Sequence, residues 1–289
     1  DRGVIALNKP PGLVSQGSTP GTGVGTVHNH HSRENDAVSS KSAFSTVLDG
    51  LRRRYDLSTG PYPVHRLDKG TTGVLMLACT KVLARELSQQ FRTHAIGKTY
   101  LALVLGGSRE FSAKKGLISH SLSSDNGRVQ LGAEEGLGSK PALTMWEVLA
   151  FSDKAPLSLV RLYPRTGLKH QLRVHMAHTL QVPILGDTLY GNATSAQQIL
   201  ASSRVPQSRL FLHSSSISFW RYRRTGPRKR FRLTIVAPLP ADFIKVCREM
   251  GLQPPDVAIQ GGIFVDGEYV GEEEIPDVGG RWLGEPVSV

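Results

Sequence analysis

His65-Arg66-Leu67-Asp68-Lys69-Gly70-Thr71-Thr72-Gly73 sets one carboxylate between two cations in a turn rich in small residues. A carboxyl is ionised at neutral pH unless burial raises its pKa, and neighbouring cations oppose that rise. An aspartate held in this way is suited to nucleophilic work. The run that follows, Val74-Leu75-Met76-Leu77-Ala78-Cys79, is continuously apolar and short. It predicts a buried strand, which puts Asp68 where a loop enters the core, at the floor of a cleft. Taken alone, Arg-x-Asp also describes a surface turn with one incidental salt bridge.

Three other segments decide between these readings. Val4-Ile5-Ala6-Leu7-Asn8-Lys9-Pro10-Pro11-Gly12-Leu13-Val14 reads as a strand that breaks at a lysine and a Pro-Pro-Gly turn. Gly97-Lys98-Thr99-Tyr100-Leu101-Ala102-Leu103-Val104 begins a strand with a tyrosine at its mouth. Arg165-Thr166-Gly167-Leu168-Lys169-His170-Gln171-Leu172-Arg173-Val174-His175 is followed by Pro183-Ile184-Leu185-Gly186-Asp187 and Leu189-Tyr190-Gly191. In this order and at these intervals, over residues 4 to 242, the four segments resemble the RluA-type family of RNA pseudouridine synthases.

The resemblance implies isomerisation of uridine in RNA to pseudouridine, in which the base is detached from its ribose, turned and rejoined through ring carbon 5. It implies neither metal nor organic cofactor. The family's aspartate maps to Asp68, its tyrosine to Tyr100 and its basic partner to Arg173. A guanidinium there suits a double use, pairing with Asp68 and offering donors to a phosphate, so Arg173 rather than Arg66 is expected as the charge partner. Tyr100 offers a flat ring to stack on the target uracil and a phenol near the proton leaving carbon 5, although a tyrosine in a strand is also an ordinary core residue. Attack by Asp68 on ribose carbon 1 and proton removal from carbon 2 to give a glycal both require the same carboxylate. Further substrate contacts are expected from Arg66, Lys98, His170, Gln171 and Leu185. Extrusion of a stacked uridine costs a few kcal/mol, which basic surface must supply.

That surface is present. Lys and Arg number 35 against 24 Asp and Glu, for a net charge of +11 and a pI near 9.9. Such a balance favours nucleic acid as partner. The charge is uneven, since residues 251–289 hold eight acids and one base, Arg281. Arg221, Arg223, Arg224, Arg228, Lys229, Arg230 and Arg232 crowd around Trp220, Tyr222 and Phe231. This predicts a hairpin turning at Gly226-Pro227, with phosphate-binding arginines among base-stacking rings. Relatives usually carry a less basic hairpin there. Either it makes a private RNA contact or it meets the acidic tail.

The scaffold expected around these residues is an α+β domain with a predominantly antiparallel mixed sheet, flanking helices and a central RNA-binding cleft. Helices are predicted over 44–55 and 81–94, from apolar residues at helical spacing, and strands over 144–150, 158–163, 210–219 and 231–236. Two short strands around Asp266-Gly267 follow. The catalytic domain is placed at 1–250, with a mobile insertion at 17–43, and 251–289 forms an acidic extension. The histidines at 28, 30 and 31, and those at 170, 175 and 178, lack cysteine companions, and no metal is expected. Cys79 and Cys247 form no disulfide framework. No apolar run approaches the ~20 residues that span a bilayer, so no membrane partner is expected and a monomer is the default.

Many relatives carry a small RNA-binding module before the catalytic domain, whereas Val4 already begins the catalytic strand. The missing initiator methionine points to trimming, and a removed transit segment gives mitochondrial localisation as the leading expectation, with cytoplasmic or nuclear as alternatives. Leu168 replaces an arginine common in relatives, which bears on substrate choice, while Thr72 for serine retains the hydroxyl. Ribosomal RNA is the expected substrate and transfer RNA the alternative. A noncatalytic RNA-binding or ribosome-assembly factor would have no reason to keep Asp68, Tyr100 and Arg173 together. A hydrolase using His65 and Asp68 lacks a Ser or Cys nucleophile motif.

Overall fold

The computed structural model describes residues 3–15, 42–125, 127–132, 138–191, 193–227, 229–271, 275 and 278. The expected insertion at 17–43, up to residue 41, lies outside them, as do Arg228 and all of the acidic positions beyond 271. In chain order the elements are β1 (Val4–Lys9), α1 (Ala43–Arg54), β2 (Tyr62–Pro63), β3 (Thr72–Ala78), α2 (Lys81–Arg92) and β4 (Gly97–Leu105). There follow β5 (Lys115–Ser119), β6 (Leu122–Asp125), β7 (Arg128–Leu131), β8 (Leu143–Phe151), β9 (Leu157–Pro164) and α3 (Gln171–Val174). The last part comprises α4 (Ala193–Ser202), β10 (Leu212–Tyr222), β11 (Arg230–Val236), α5 (Ala241–Glu249), α6 (Asp256–Gln260), β12 (Gly262–Val265) and β13 (Glu268–Tyr269).

Period-2 patterning explains the central sheet. On β4, Leu101 and Leu103 face a core built with α4, α5 and α6, while Ala102 and Val104 face the opposite core with Trp146, Val160, Leu162, Leu172 and Met176. A strand buried on both sides reads as a continuous apolar run, as β3 and β4 do. The main sheet has the path β13-β12-β11-β10-β4-β9-β8-β5, and β3 joins it through β10 while also pairing with β1 and β2. Almost every pairing is antiparallel; β3 and β10 run parallel over His213↔Thr72 and Ser214↔Gly73. Thr72 Oγ1 lies 2.9 Å from His213 Nδ1 and ties this junction, and β10 shifts register against β4 just beyond it, between Ser214 and Ser216. Helix α2 starts where Thr80 Oγ1 accepts from Leu83 N at 3.2 Å, and it buries Leu83 and Leu87 under β3.

Gly73 is what lets β3 leave the loop that carries Asp68 so close to β10. Its φ is +103°, and a Cβ there would lie 2.2 Å from the Ser214 carbonyl oxygen. Gly73→Ala is therefore expected to cost about 3 kcal/mol through backbone strain and overlap. Thermal and urea unfolding would measure it, and a variant as stable as the parent would refute the packing argument.

The C-terminal segment continues this sheet. β12 pairs with β11, and the Asp266-Gly267 turn has φ of 51° and 94°, as a tight hairpin turn with two left-handed residues requires. Asp266 Oδ1 accepts from the backbone N of Arg232 at 2.7 Å, which ties this turn to β11. Cutting the chain at residue 250 would strip β12 from β11 and bare an edge.

Candidate active site

Asp68 lies in the loop between β2 and β3, and Lys9 sets that loop from behind. The Lys9 side chain is 1% exposed, and its ammonium donates to three backbone carbonyls: Pro10 at 3.0 Å, Leu13 at 2.9 Å and Lys69 at 3.1 Å. Gly12 N also donates to Lys69 O, and Ser15 Oγ bridges both backbone groups of Leu67. The Pro-Pro-Gly turn is thus laced to the residues on either side of Asp68. Burial pulls the Lys9 pKa down to about 8, against the field of Asp68 and with that of Arg209. Lys9→Met would leave the Pro10 and Leu13 carbonyls without their donor and Lys69 O with the Gly12 N–H alone, so a stability loss on the order of 3 kcal/mol and a lowered kcat are expected together. A fall in stability with kcat unchanged would show that the turn does not set the position of Asp68.

The cleft above Asp68 has a volume of about 270 Å³, with Arg66, Lys98, Tyr100, Lys169, His170 and Arg173 among its walls. The two carboxylate oxygens face different donors: Oδ1 is 3.9 Å from His170 Nε2, and Oδ2 is 3.9 Å from Arg173 Nη1. Arg173 is fixed by another acid. Its Nε and Nη2 donate to Asp187 Oδ2 and Oδ1 at 2.7 and 2.6 Å, and its guanidinium lies 5.1 Å from the centre of the Tyr190 ring. Burial works against the charge of Arg173, but the hydrogen bonds to Asp187 and the fields of Asp187 and Asp68 outweigh it and raise the pKa. Asp187 also accepts from Leu189 N and Tyr190 N, which seals its carboxylate. Gly186 makes that turn possible, because a Cβ there would stand 1.9 Å from Arg209 O.

Tyr100 faces the cleft, and its phenol is pushed up to about 12 by burial, with Ser214 opposing and Asp68 adding to the shift. The ring is therefore present as the neutral phenol. Lys98 donates to Thr166 O at 2.7 Å, and burial lowers its pKa to about 8. Arg66 is exposed at the cleft rim.

The rival pairing of His65 with Asp68 in a hydrolase finds no support: His65 Nε2 accepts from Met76 N at 2.9 Å, its ring stacks on Phe91, and burial lowers its pKa to about 4. Three expectations change. Gln171 is spent internally, donating to Leu143 O and Thr144 Oγ1 and accepting from Thr166 Oγ1 and Leu168 N, so it shapes the cleft wall instead of binding substrate. Leu185 is fully buried among Leu101, Leu103 and Phe211 and does not line the cleft. Arg221 is 6% exposed, and burial lowers its pKa against the field of Glu86.

The hairpin rings also differ from expectation. Trp220 lies under Arg230 and Arg232, with guanidinium carbons 4.4 and 4.8 Å from the ring centre, and buried Phe231 lies under Arg223 at 4.9 Å. Arginines of the hairpin itself cover these faces. Arg223 and Arg224 stand on the hairpin away from the cleft lining. Leu168 packs with Leu122, Val129 and Tyr190 and makes an apolar contact to the β6–β7 ribbon.

Asp187 is the functional residue that sequence reasoning passed over. It sits within the quoted Gly-Asp motif, but nothing in the spacing announces its bidentate bond to Arg173.

A family model described as RNA pseudouridylate synthase matches residues 3–178. The chain is 30% identical over 260 residues to tRNA pseudouridine synthase C of Haemophilus ducreyi, covering 87% of this chain and 93% of that one. To the Dual-specificity RNA pseudouridine synthase RluA of the same organism it is 33% identical over 221 residues, 75% of this chain and 83% of that. It is 29% identical over 288 residues to the Bos taurus Pseudouridylate synthase RPUSD4, mitochondrial, with 88% and 69% covered. The solved structure of Human RNA Pseudouridylate Synthase Domain Containing 4 is similar at a TM-score of 0.64 and 25% identity, over 88% of this chain and 92% of that one.

Proposed function

The chain belongs to the RluA-type RNA pseudouridylate synthase family, and we propose that its isomerisation of uridine in RNA runs on Asp68, with Tyr100 and Arg173 as partners. The observation that supports this most is the position of Asp68: a carboxylate at the floor of a nucleotide-sized cleft, flanked at 3.9 Å by Arg173, with the Tyr100 phenol in the same wall. An extruded uridine would stack on Tyr100 and present its ribose to the carboxylate. As Asp68 reacts and gives up its negative charge, Arg173 stays neutralised by Asp187 and is not left as a lone buried cation. Lys98, Arg66 and Lys169 would guide the backbone into the cleft, and Arg223 and Arg224 would add phosphate contacts on the hairpin.

Ribosomal RNA is our proposed substrate, acted on by a monomer whose chemistry lies in residues 1–250. Transfer RNA is the second reading, favoured by the identity to a relative named tRNA pseudouridine synthase C. A mitochondrial location is proposed on the basic charge and on likeness to a relative named mitochondrial. Tritium release from RNA labelled at uridine carbon 5, with rRNA and tRNA offered separately and Asp68→Asn as control, tests the assignment. Release from tRNA alone would overturn the rRNA reading.

A further inference from the structure

His170 sits in the left-handed region, with φ of 54°, and its imidazole bridges two elements of the cleft. Nδ1 lies 2.9 Å from Tyr190 Oη, and Nε2 lies 3.9 Å from Asp68 Oδ1. The Tyr190 oxygen already accepts the Val129 N–H of the β6–β7 ribbon at 3.2 Å. Tyr190 is 7% exposed, and burial raises its pKa, so the phenol keeps its proton. Among the described residues that proton has no acceptor other than Nδ1. An imidazole that accepts at Nδ1 carries its own hydrogen on Nε2, the nitrogen directed at Asp68.

We propose that Tyr190 locks His170 as the neutral Nε2–H tautomer, and that His170 is a positioning residue which, through Asp68 Oδ1, orients the carboxylate for reaction. This rests on Asp68 being the catalytic group. Arg173 is pinned by two bonds to Asp187 and offers Nη1 to the other oxygen, so two fixed donors together define the carboxylate plane. A neutral donor does this without the further loss of nucleophilicity or basicity that a second cation would impose. Both 3.9 Å separations exceed hydrogen-bond length by about 1 Å, a gap typical of substrate-free sites that tighten on binding.

The charged groups facing the ring are Asp68 from the catalytic loop, Lys169 and Arg173 from its own segment, and Asp187 beyond it; Arg128 of the ribbon faces Tyr190. Burial lowers the pKa of His170, opposed by Asp68 and Asp187 and aided by Arg173 and Lys169. The ring is therefore neutral at neutral pH and becomes charged only in acid.

Tyr190→Phe keeps the ring beneath Arg173 and removes the hydroxyl, which frees His170 Nδ1 and also takes the acceptor from the Val129 N–H. Its kcat is expected to fall roughly tenfold with KM for RNA unchanged, the scale of one lost hydrogen bond. The acid limb of its kcat profile should move to higher pH, because the freed Nδ1 takes up a proton more readily. His170→Gln, whose amide nitrogen falls near Nε2, should recover much of the rate lost in His170→Ala. Nitrogen-15 NMR of the parent protein should show the Nε2–H tautomer. A parent ring in the Nδ1–H form, a glutamine variant no better than alanine, or parental kcat in both Tyr190→Phe and His170→Ala would overturn the proposal. If those results came with an inactive Asp68→Asn, Asp68 would keep its role; an active Asp68→Asn would overturn that reading as well.

Discussion

Asp68→Asn is expected to lower kcat by about 10,000-fold or more while leaving RNA affinity nearly unchanged. Asparagine has the shape of aspartate but neither the anionic nucleophile nor the base, and both routes open to the reaction, attack at ribose carbon 1 and proton removal at carbon 2, consume that function. The fold should tolerate the change. The Asp68 side chain is 18% exposed and makes no contact shorter than 3.9 Å with Arg173, which keeps both bonds to Asp187 when the charge disappears. Tritium release and filter binding on the same preparations separate the two effects. A rate within about tenfold of the parent would remove Asp68 from the chemistry.

Asp187→Asn should produce the largest combined loss of stability and activity. The carboxylate side chain is 1% exposed and holds a guanidinium that is 9% exposed, through bonds of 2.6 and 2.7 Å. An asparagine turns one oxygen into an amide that confronts a donor with a donor and leaves the buried cation uncompensated. Breaking such a pair costs about 3–5 kcal/mol. The released guanidinium would then close on Asp68, trading a 3.9 Å separation for a direct bond that holds the carboxylate away from the ribose. Urea unfolding should register the first effect and single-turnover kinetics the second. If the variant unfolded within about 1 kcal/mol of the parent, the pair would not be the keystone of the cleft.

The amino-acid order discloses the strands and the carboxylate at the floor of the cleft, but few of the partnerships. Runs such as Val74–Cys79 and Leu101–Val104 announce buried strands because the hydrophobic pattern is local, and Thr80 followed by Leu83, Leu87 and Phe91 announces a helix for the same reason. Asp68, Tyr100 and Arg173 were legible from motifs, and all three border one cleft. Their supports were not. Asp187 reaches Arg173 only because the chain runs from α3 through a π-helical turn at His175–Thr179 and doubles back. His65 looks like a companion of Asp68 by spacing, yet the loop turns it towards Met76 and Phe91. Leu185 and Gln171 stand in the recognised motifs as structural members, one in the core and one bonded along the cleft wall. Sequence spacing does not report direction once a chain leaves regular structure. The hairpin cations were readable as charge, whereas their stacking on Trp220 and Phe231 depends on the β10–β11 register, Trp220 facing Arg232.

The position of β10 has a consequence for how the enzyme is made. Strands β3 and β4 leave the ribosome early, but the partner they share begins only at Leu212, so each keeps an open edge through most of synthesis. Contacts that span so much chain close slowly, and an apolar strand waiting with a free edge is prone to aggregate. Nascent chains that stall before β10 emerge would carry the whole catalytic loop and yet lack the junction that seats it. Assembly of a working cleft is thus a late event in biosynthesis, and chaperone demand should concentrate in the interval between the emergence of β4 and that of β10.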